Sequence, residues 1–359
     1  MTTWPTAGHL DGGEAADEVD SWKPARKFPE HYPGECPAGD YLLWNRHVHA
    51  LEHRAATGLS LRGEESRSLD ALLASLGLPG LAERVPVLAY GANRNPATLH
   101  LKLLNYGYRP PNGRDHCLPV LRGELHGADV AASGLHGHGY LYGELLLNSE
   151  HTRDSVLRSR ICMADEDQLR ALNESEEVRQ GRYHLAWIPG VRLPGTGRPI
   201  PALGYVANAR TWLSPVFQTP VGFTSVQAAG RTYPSMTATE GLAHALDSLG
   251  IRSEASRLSG LADDEALAAE LAKYLNGQWW YHFHTGQSPI SGYHGVLDLF
   301  RSRIAESSMP VRTYDHLVEQ GRVLSVDDAY SHARLLRRVR AEGGAFSSDC
   351  SDPSGGDGC

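Results

Sequence analysis

The chain has 359 residues, a formal charge of −8 and 41% hydrophobic residues, enough to bury at least one substantial core. Its pI near 6.1 argues against a nucleic-acid or anionic-membrane partner, because either would need clustered Lys and Arg. Five widely spaced cysteines form no disulfide framework and indicate reduced thiols. With no secretory signal at the start and no apolar run long enough for a membrane helix, the sequence predicts a soluble, cytoplasmic protein.

Composition and apolar spacing divide the chain into five predicted parts. These are a disordered segment at 1–38, a helical extension at 39–84, a mixed α+β domain at 85–250, a helical extension at 251–341 and a disordered tail at 342–359. The first extension depends on the runs 40–51 and 66–80, in which apolar residues recur every three or four positions after a capping residue.

The central part changes to a β pattern. Short apolar runs bounded by Gly, Pro and Asn predict strands at 85–90, 138–147, 181–191 and 200–207, with one helix at 165–177. Two later helices are predicted, one at 237–250 starting on a Thr237/Glu240 capping box and one at 263–277 ending at Gly277. The aromatic run at 279–286 is interpreted as a core strand or a helix-to-loop junction, with the wall of a ligand pocket as the alternative.

The stretch "VLAYGANRNPATL", at 87–99, combines a strand, a turn and a helix start. Gly91 allows a backbone conformation closed to other residues, and Asn95-Pro96 is typical of an N-cap followed by proline at the first helical position. The turn therefore presents backbone amides beside a helix N-terminus, an arrangement that attracts a carboxylate or a phosphate.

The helix at 165–177 carries a carboxylate on its apolar side. Leu169, Leu172 and Glu176 are spaced i, i+3 and i+7, so Glu176 is predicted to point inward, whereas Glu174 and Glu177 reach solvent. Burial would raise the pKa of Glu176 toward neutrality and suit it to general acid/base work. A structural Glu bound to a backbone amide or an Arg is the alternative.

Three of these segments, in this order, resemble the γ-glutamylcyclotransferase family. The run at 87–99 is similar to the family's "YGSN" loop. The run "ADVAASGLHGHGYLYGELLLN" is similar to its next two strands, with Tyr142-Gly143 as the central aromatic-Gly pair. The run "LNESEEVRQGRYHLAWIPGV" is similar to its "LD-x-x-E-G" helix with the following Tyr-bearing strand. The resemblance covers about 125 residues, from Val85 to about Ala209.

The resemblance implies a small mixed β-barrel core and an enzyme that releases 5-oxoproline from γ-glutamyl compounds. It assigns the catalytic acid/base to Glu176 and a substrate-binding role to the loop and to Tyr183 on the strand. The loop residues are Tyr90, Gly91, Ala92 and Asn93. The substrate's own α-amine attacks its γ-carbonyl, which makes this a C–N cleavage of the acyltransferase or lyase type with no metal and no cofactor.

The sequence departs from the family pattern at four positions. Ala92 stands where Ser is usual, Arg94 where Leu or Met is usual, Asn173 in place of Asp, and Glu177 where a Gly follows the catalytic Glu. Arg94 is interpreted either as a substrate contact for an anionic group on the leaving portion or as a surface Arg. Glu177 is expected to raise the pKa of Glu176 further and to alter the end of the helix.

The 18 histidines include three clusters, at 47–53, 136–138 and 282–284. His49 and His53 would be four residues apart on the predicted helix, a spacing that can bind zinc, but no zincin motif accompanies them, so we predict no metal site.

Two hypotheses follow for the function of the whole chain. One is a cyclising enzyme acting on a small γ-glutamyl substrate, and the other is a catalytically silent relative that binds a ligand or protein; the sequence leaves the oligomeric state undetermined.

Overall fold

The computed structural model of the protein describes residues 16–54, 58–64, 66–108, 116–193, 199–309 and 312–343. Fourteen strands lie within these ranges: β1 (Asp17–Glu18), β2 (Asp40–Trp44), β3 (His47–Arg54), β4 (Gly58–Leu61), β5 (Val85–Ala89), β6 (Cys117–His126), β7 (Ala128–Leu135), β8 (Leu141–Leu147), β9 (Val156–Ala164), β10 (Tyr183–Arg192), β11 (Ile200–Ala207), β12 (Gly222–Phe223), β13 (Ala228–Ala229) and β14 (Ser235–Met236). Ten α-helices lie there too: α1 (Leu69–Ser75), α2 (Pro96–Asn105), α3 (Glu166–Ser175), α4 (Ala238–Ser248), α5 (Arg252–Ser259), α6 (Leu267–Thr285), α7 (Ser291–Glu306), α8 (Thr313–Glu319), α9 (Val326–Ala329) and α10 (His332–Gly343).

Five strands close into a ring. β6 pairs with both β9 and β10, β10 pairs with β11, β11 runs parallel to β5, and β5 pairs with β9. The hairpin of β2 and β3 extends the sheet from β6, and a second sheet has the order β14-β12-β7-β8. The mixed α+β class and a barrel-like core are therefore as predicted.

The ring strands bury side chains on both faces. Val87 and Leu88 are neighbours in β5 and must point to opposite faces, and they belong to two different buried clusters. The cluster of Leu88 extends into α4–α7, for example through Phe300, and that of Val87 extends into α2, α3 and α10. Helices therefore cover the ring on both sides.

The helix predicted at 40–51 is wrong, because this segment forms the β2–β3 hairpin. Trp44 pairs with His47 across a two-residue turn in which Asn45 and Arg46 have φ of 49° and 63°. Two positive φ values in succession are the signature of the tight hairpin turn that Asn favours. Apolar spacing in so short a run did not separate a helix from a buried strand, and pairing with β6 decided the outcome. The second helix of this extension is confirmed as α1, capped by Ser68.

The disorder predicted at 1–38 is wrong for residues 16–38, and residues 1–15 lie outside the described part. Val19, Ala25 and Tyr32 are buried, at 1%, 0% and 5% exposure. The side-chain amide of Asn95 holds the segment, donating to the carbonyls of Lys23 at 3.2 Å and Glu35 at 2.8 Å. A segment with little apolar content is ordered here by docking against the ring domain. Residues 344–359 of the predicted tail also lie outside the described part.

The later helices are confirmed with one correction. Thr237 and Glu240 form the predicted capping box at the start of α4. The helix expected to stop at Gly277 continues to Thr285 and ends at Gly286, whose φ of 67° is the left-handed conformation of a C-cap. A single Gly inside a helix lowers its stability by only about 1 kcal/mol relative to Ala, so Gly277 does not end α6. The aromatic run that begins at residue 279 therefore lies on this helix and not on a strand.

Candidate active site

The turn after β5 has the predicted local structure. Asn95 caps α2 by accepting a hydrogen bond from the Thr98 amide at 2.8 Å, and Pro96 occupies the first helical position. In the described part of the chain, no acceptor takes a hydrogen bond from the backbone amides of Gly91, Ala92 or Asn93. Three consecutive free donors remain for an anionic or oxyanionic group of a ligand.

Gly91 does not use the left-handed backbone that most other residues avoid. Its φ is −104°, outside the left-handed region, and a Cβ built there would meet only the Tyr32 hydroxyl, at 3.5 Å. That distance is ordinary van der Waals contact, so Ala fits at this position. A larger side chain would extend toward Tyr32, so the need for a small residue arises from space at the turn.

Glu176 lies at the end of α3 with its carboxylate directed inward, as its spacing predicts. Its side chain is 12% exposed and forms an ion pair with the Lys102 ammonium from α2. Oε1 of the same carboxylate also accepts a hydrogen bond from Asn93 Nδ2 at 2.8 Å. The site therefore joins the end of α3, the middle of α2 and the turn after β5.

The pKa of Glu176 is lowered, which corrects the expected rise. Burial alone raises the pKa of this carboxyl, but the charge and hydrogen bond of Lys102, together with the Asn93 amide, more than compensate. The periodicity identified the inward carboxylate without showing the cation opposite. Glu176 is consequently an ionised group at neutral pH, able to take up a proton but not poised to hold one.

A cavity of about 600 Å³ lies beside this carboxylate. The residues that line it include most of the predicted site: Tyr90, Gly91, Ala92, Asn93, Glu176 and Tyr183. Burial, followed by the charge of Glu176, raises the pKa of Tyr183 well above its usual value. Arg94 is not part of this group. It lines a separate cavity with Arg122 and Arg160, and its Nη2 donates to the Ser225 carbonyl at 2.6 Å.

Several lining residues come from segments that the sequence did not connect to the site. Arg26 and Tyr32 belong to the docked N-terminal segment, and α6 contributes Trp279, Trp280 and Phe283. The Tyr32 hydroxyl accepts a hydrogen bond from the Gly143 amide at 2.6 Å, which joins this segment to the aromatic-Gly pair of β8. No pattern along the chain pointed to Arg26 or Tyr32, since tertiary docking brings them to the cavity. The aromatic run at 279–286 lines the cavity, which agrees with the alternative interpretation of that run as a pocket wall.

Lys102 and Glu144 are two further missed groups, and each carried a signal. Lys102 lies three residues after Leu99 on the buried side of α2, where an amine needs a partner. Glu144 interrupts an apolar strand and is 1% exposed; its Oε1 accepts from the Ala207 amide at 3.2 Å and lies 3.5 Å from the Tyr90 hydroxyl. Burial raises the pKa of Glu144 to about 8.

Two departures from the family pattern have structural explanations. The buried Asn173 side chain accepts from the Tyr205 hydroxyl and donates to the Ala329 carbonyl, both at 2.8 Å, and only an amide can do both. Glu177 has a φ of 53°, and the Val178 amide bonds to the Asn173 carbonyl at 3.1 Å. The helix therefore ends in a Schellman motif with Glu in place of Gly, and its end is unaltered.

The histidine clusters are not arranged as metal sites. No group of three or more His, Cys, Asp or Glu side chains within the described ranges could hold a metal ion. The helical spacing expected for His49 and His53 is wrong because both lie on strand β3. The described helices also include none with the length and apolar character needed to cross a membrane.

No family model matches the chain, and no curated protein matches it. Two solved structures resemble part of it. One, an ensemble refinement of the uncharacterized protein loc79017 from Homo sapiens, is 17% identical over 35% of this chain and 69% of its own, with a TM-score of 0.26. The other, a gamma-glutamyl cyclotransferase, is 15% identical over 35% of this chain and 70% of its own, also with a TM-score of 0.26. At such low scores, the site has to be understood from its own residues.

Proposed function

We propose that the protein cyclises a γ-glutamyl peptide, amine or related metabolite and releases 5-oxoproline. The observation that carries the proposal is the inward Glu176 carboxylate beside a turn whose three amides have no acceptor among the described residues, all on one cavity. This set matches the motifs that resemble the γ-glutamylcyclotransferase family. The cavity volume of about 600 Å³ is in the range of small-molecule sites.

The reaction needs a base, an oxyanion site and a bent substrate conformation. The ionised Glu176 takes a proton from the substrate's α-ammonium, and the freed amine attacks the γ-carbonyl carbon to close a five-membered ring. The amides of Gly91, Ala92 and Asn93 are donors for the tetrahedral oxyanion or the α-carboxylate. The C–N bond to the leaving amine then breaks as Glu176 returns its proton to that nitrogen. The ring nitrogen gives its second proton to solvent, which protonates the free amine.

The ion pair with Lys102 suits this exchange. It keeps Glu176 ionised before the reaction, and it makes the transiently protonated carboxyl a stronger acid toward the departing nitrogen. Tyr183 lines the same cavity and keeps its phenol proton, so it can act only as a neutral hydrogen-bonding group.

The test is the replacement Glu176→Gln with a panel of γ-glutamyl peptides and amines and detection of 5-oxoproline by mass spectrometry. Gln keeps the shape but cannot carry the proton, so turnover is expected to fall by about 100-fold or more with folding intact. Glu174→Gln is the matched control. Glu174 pairs with Arg179 at an N–O distance of 3.1 Å, and it does not line the cavity. Undiminished turnover in a folded Glu176→Gln protein would make the carboxylate structural.

Chelator treatment separates this proposal from metal chemistry. Ring closure by an internal amine requires no Lewis acid, so turnover is expected to be unchanged by chelation. A large loss restored by zinc would contradict it.

The second candidate, a catalytically silent binding protein, is favoured by the same Lys102–Glu176 pair if it neutralises the carboxylate for binding alone. Binding of γ-glutamyl compounds without any 5-oxoproline would establish that candidate.

A further inference from the structure

A continuous run of aromatic rings lines the cavity from the catalytic end outward. The Tyr32 hydroxyl lies 3.5 Å from the position that a Cβ on Gly91 would take, and Phe283 lies at the far end on α6. Four consecutive pairs are stacked: Tyr32–Tyr140 at 4.4 Å and 17°, Tyr140–His136 at 4.9 Å and 1°, His136–His138 at 5.2 Å and 1°, and Trp279–Phe283 at 5.1 Å and 12°. His138 and Trp279 join them as a tilted pair, with ring centres 3.9 Å apart and an angle of 39°.

The outer end of this run is not buried by the protein. Phe283 is 60% exposed, and Trp279 is half-buried although it stacks on Phe283 and packs at an angle against His138. Exposed aromatic area on a cavity wall favours a ligand that can cover it, and a planar ring gains most from stacking there. These rings belong to α6, which is separate from the five-stranded ring and from α3, the helix that ends at Glu176.

The same cavity is lined by several cations, and three of them form ion pairs. Lys102 pairs with Glu176, Arg182 pairs with Glu177 at 3.1 Å, and Arg301 pairs with Asp298 at 2.6 Å. Arg26 has no carboxylate within ion-pair distance in the part of the chain that the structure describes. Its guanidinium acts electrostatically on Glu176, Tyr140 and His138, which places its charge between the carboxylate and the aromatic run. The wall is therefore suited to a ligand that is both aromatic and anionic.

We infer that the portion of the substrate beyond the γ-glutamyl group is an aromatic amino acid, with its ring on Trp279 and Phe283 and its carboxylate facing Arg26. This inference rests on the proposed function for the γ-glutamyl end and adds the class of leaving group. Trp279 and Phe283 determine specificity and touch the leaving portion. The C–N bond that breaks lies beside Glu176, away from these two rings.

The test compares kcat/KM for γ-glutamyl-tryptophan, γ-glutamyl-alanine and γ-glutamyl-tryptamine. We expect γ-glutamyl-tryptophan to exceed each of the others by about tenfold, equivalent to about 1.4 kcal/mol. Phe283→Ala, at an exposed position, and Trp279→Ala should both bring the tryptophan-to-alanine ratio close to one. Arg26→Gln should remove the preference over γ-glutamyl-tryptamine. Equal use of the three compounds by the wild-type enzyme, or ratios that survive these changes, would overturn the inference.

Tyr281→Ala is the matched control on the same helix. Tyr281 is 46% exposed, hydrogen-bonds to Gln287 and is outside the cavity lining, so all three rates should stay unchanged. Calorimetric binding of γ-glutamyl-tryptophan to the Glu176→Gln protein tests the aromatic subsite separately from the proposed cyclisation. If no compound yields 5-oxoproline, the proposed function fails, yet binding that depends on Trp279 would still support the aromatic subsite. Binding that is indifferent to Trp279 would contradict the subsite whatever the activity.

Discussion

At the scale of single residues, Lys102 controls the ionisation of Glu176. Lys102 is 4% exposed and its ammonium contacts the carboxylate directly. Replacement by Met removes the main group that lowers the pKa of Glu176, so that pKa should rise. In the proposed reaction Glu176 acts as a base only when it is ionised, so the acid limb of the pH–activity profile should move to higher pH.

A ¹³C titration of the Glu side chains measures the same shift without any substrate. Lys273→Met is the control, since Lys273 pairs with Glu270 on the exposed side of α6. An unmoved Glu176 titration in Lys102→Met would show that the ion pair does not set the charge of the site.

Glu177 stores backbone strain at the end of α3. A non-Gly residue in the left-handed region costs about 1 kcal/mol, and its exposed ion pair with Arg182 returns little of that. We therefore expect Glu177→Gly to stabilise the protein by about 1 kcal/mol in denaturant unfolding. Glu174→Gly, one turn earlier within the helix, should instead destabilise by a similar amount. Losses of stability in both variants would contradict the strain at Glu177.

At the scale of elements, Asn95 couples two parts of the chain through one side chain. Its Oδ1 caps α2, and its Nδ2 holds the segment that carries Arg26 and Tyr32. Asn95→Asp keeps the capping oxygen but turns a carboxylate oxygen toward two carbonyls. With Asn95 fully buried, we expect a loss of about 1–3 kcal/mol and faster proteolysis within residues 16–38.

Asn105→Asp, at the other end of α2, provides the comparison for a general effect of added charge. If Asn95→Asp loses stability while proteolysis of residues 16–38 is unchanged, the side chain acts only as a cap and the coupling is absent.

The docked segment also shows where patterns along the chain reach their limit. Asn95-Pro96 was recognisable as a helix start because capping depends on neighbours three residues apart. Its second task depends on Lys23 and Glu35, which are 72 and 60 positions away in sequence. A local pattern contains no information about such contacts.

At the scale of the whole molecule, Glu144 makes global stability depend on pH. Burial raises the pKa of its carboxyl from 4.5 to about 8 in the folded state. The folded protein therefore binds more protons than the unfolded chain between these values. Its contribution to stability is fully present below about pH 4.5 and is lost as the pH rises toward 8.

Glu144→Gln removes this titration. The difference in unfolding free energy between variant and wild type should grow in favour of the variant from pH 5 to pH 8, by an amount on the order of a few kcal/mol. Glu150→Gln, on the surface, should leave the wild-type curve unchanged. Parallel stability curves for Glu144→Gln and wild type would mean that Glu144 titrates normally in the folded protein.

The sequence by itself determined the features that depend on near neighbours. The strand, turn and helix at 87–99, the capping box at Thr237 and the inward direction of Glu176 follow from capping and from periods of two and 3.6 residues. Tertiary structure alone decided what those features face. It formed a hairpin at 40–54, placed Lys102 against Glu176 and so reversed the expected pKa shift, and brought Arg26 and the α6 rings to one cavity. Charge and packing act through space, and distance along the chain does not encode them.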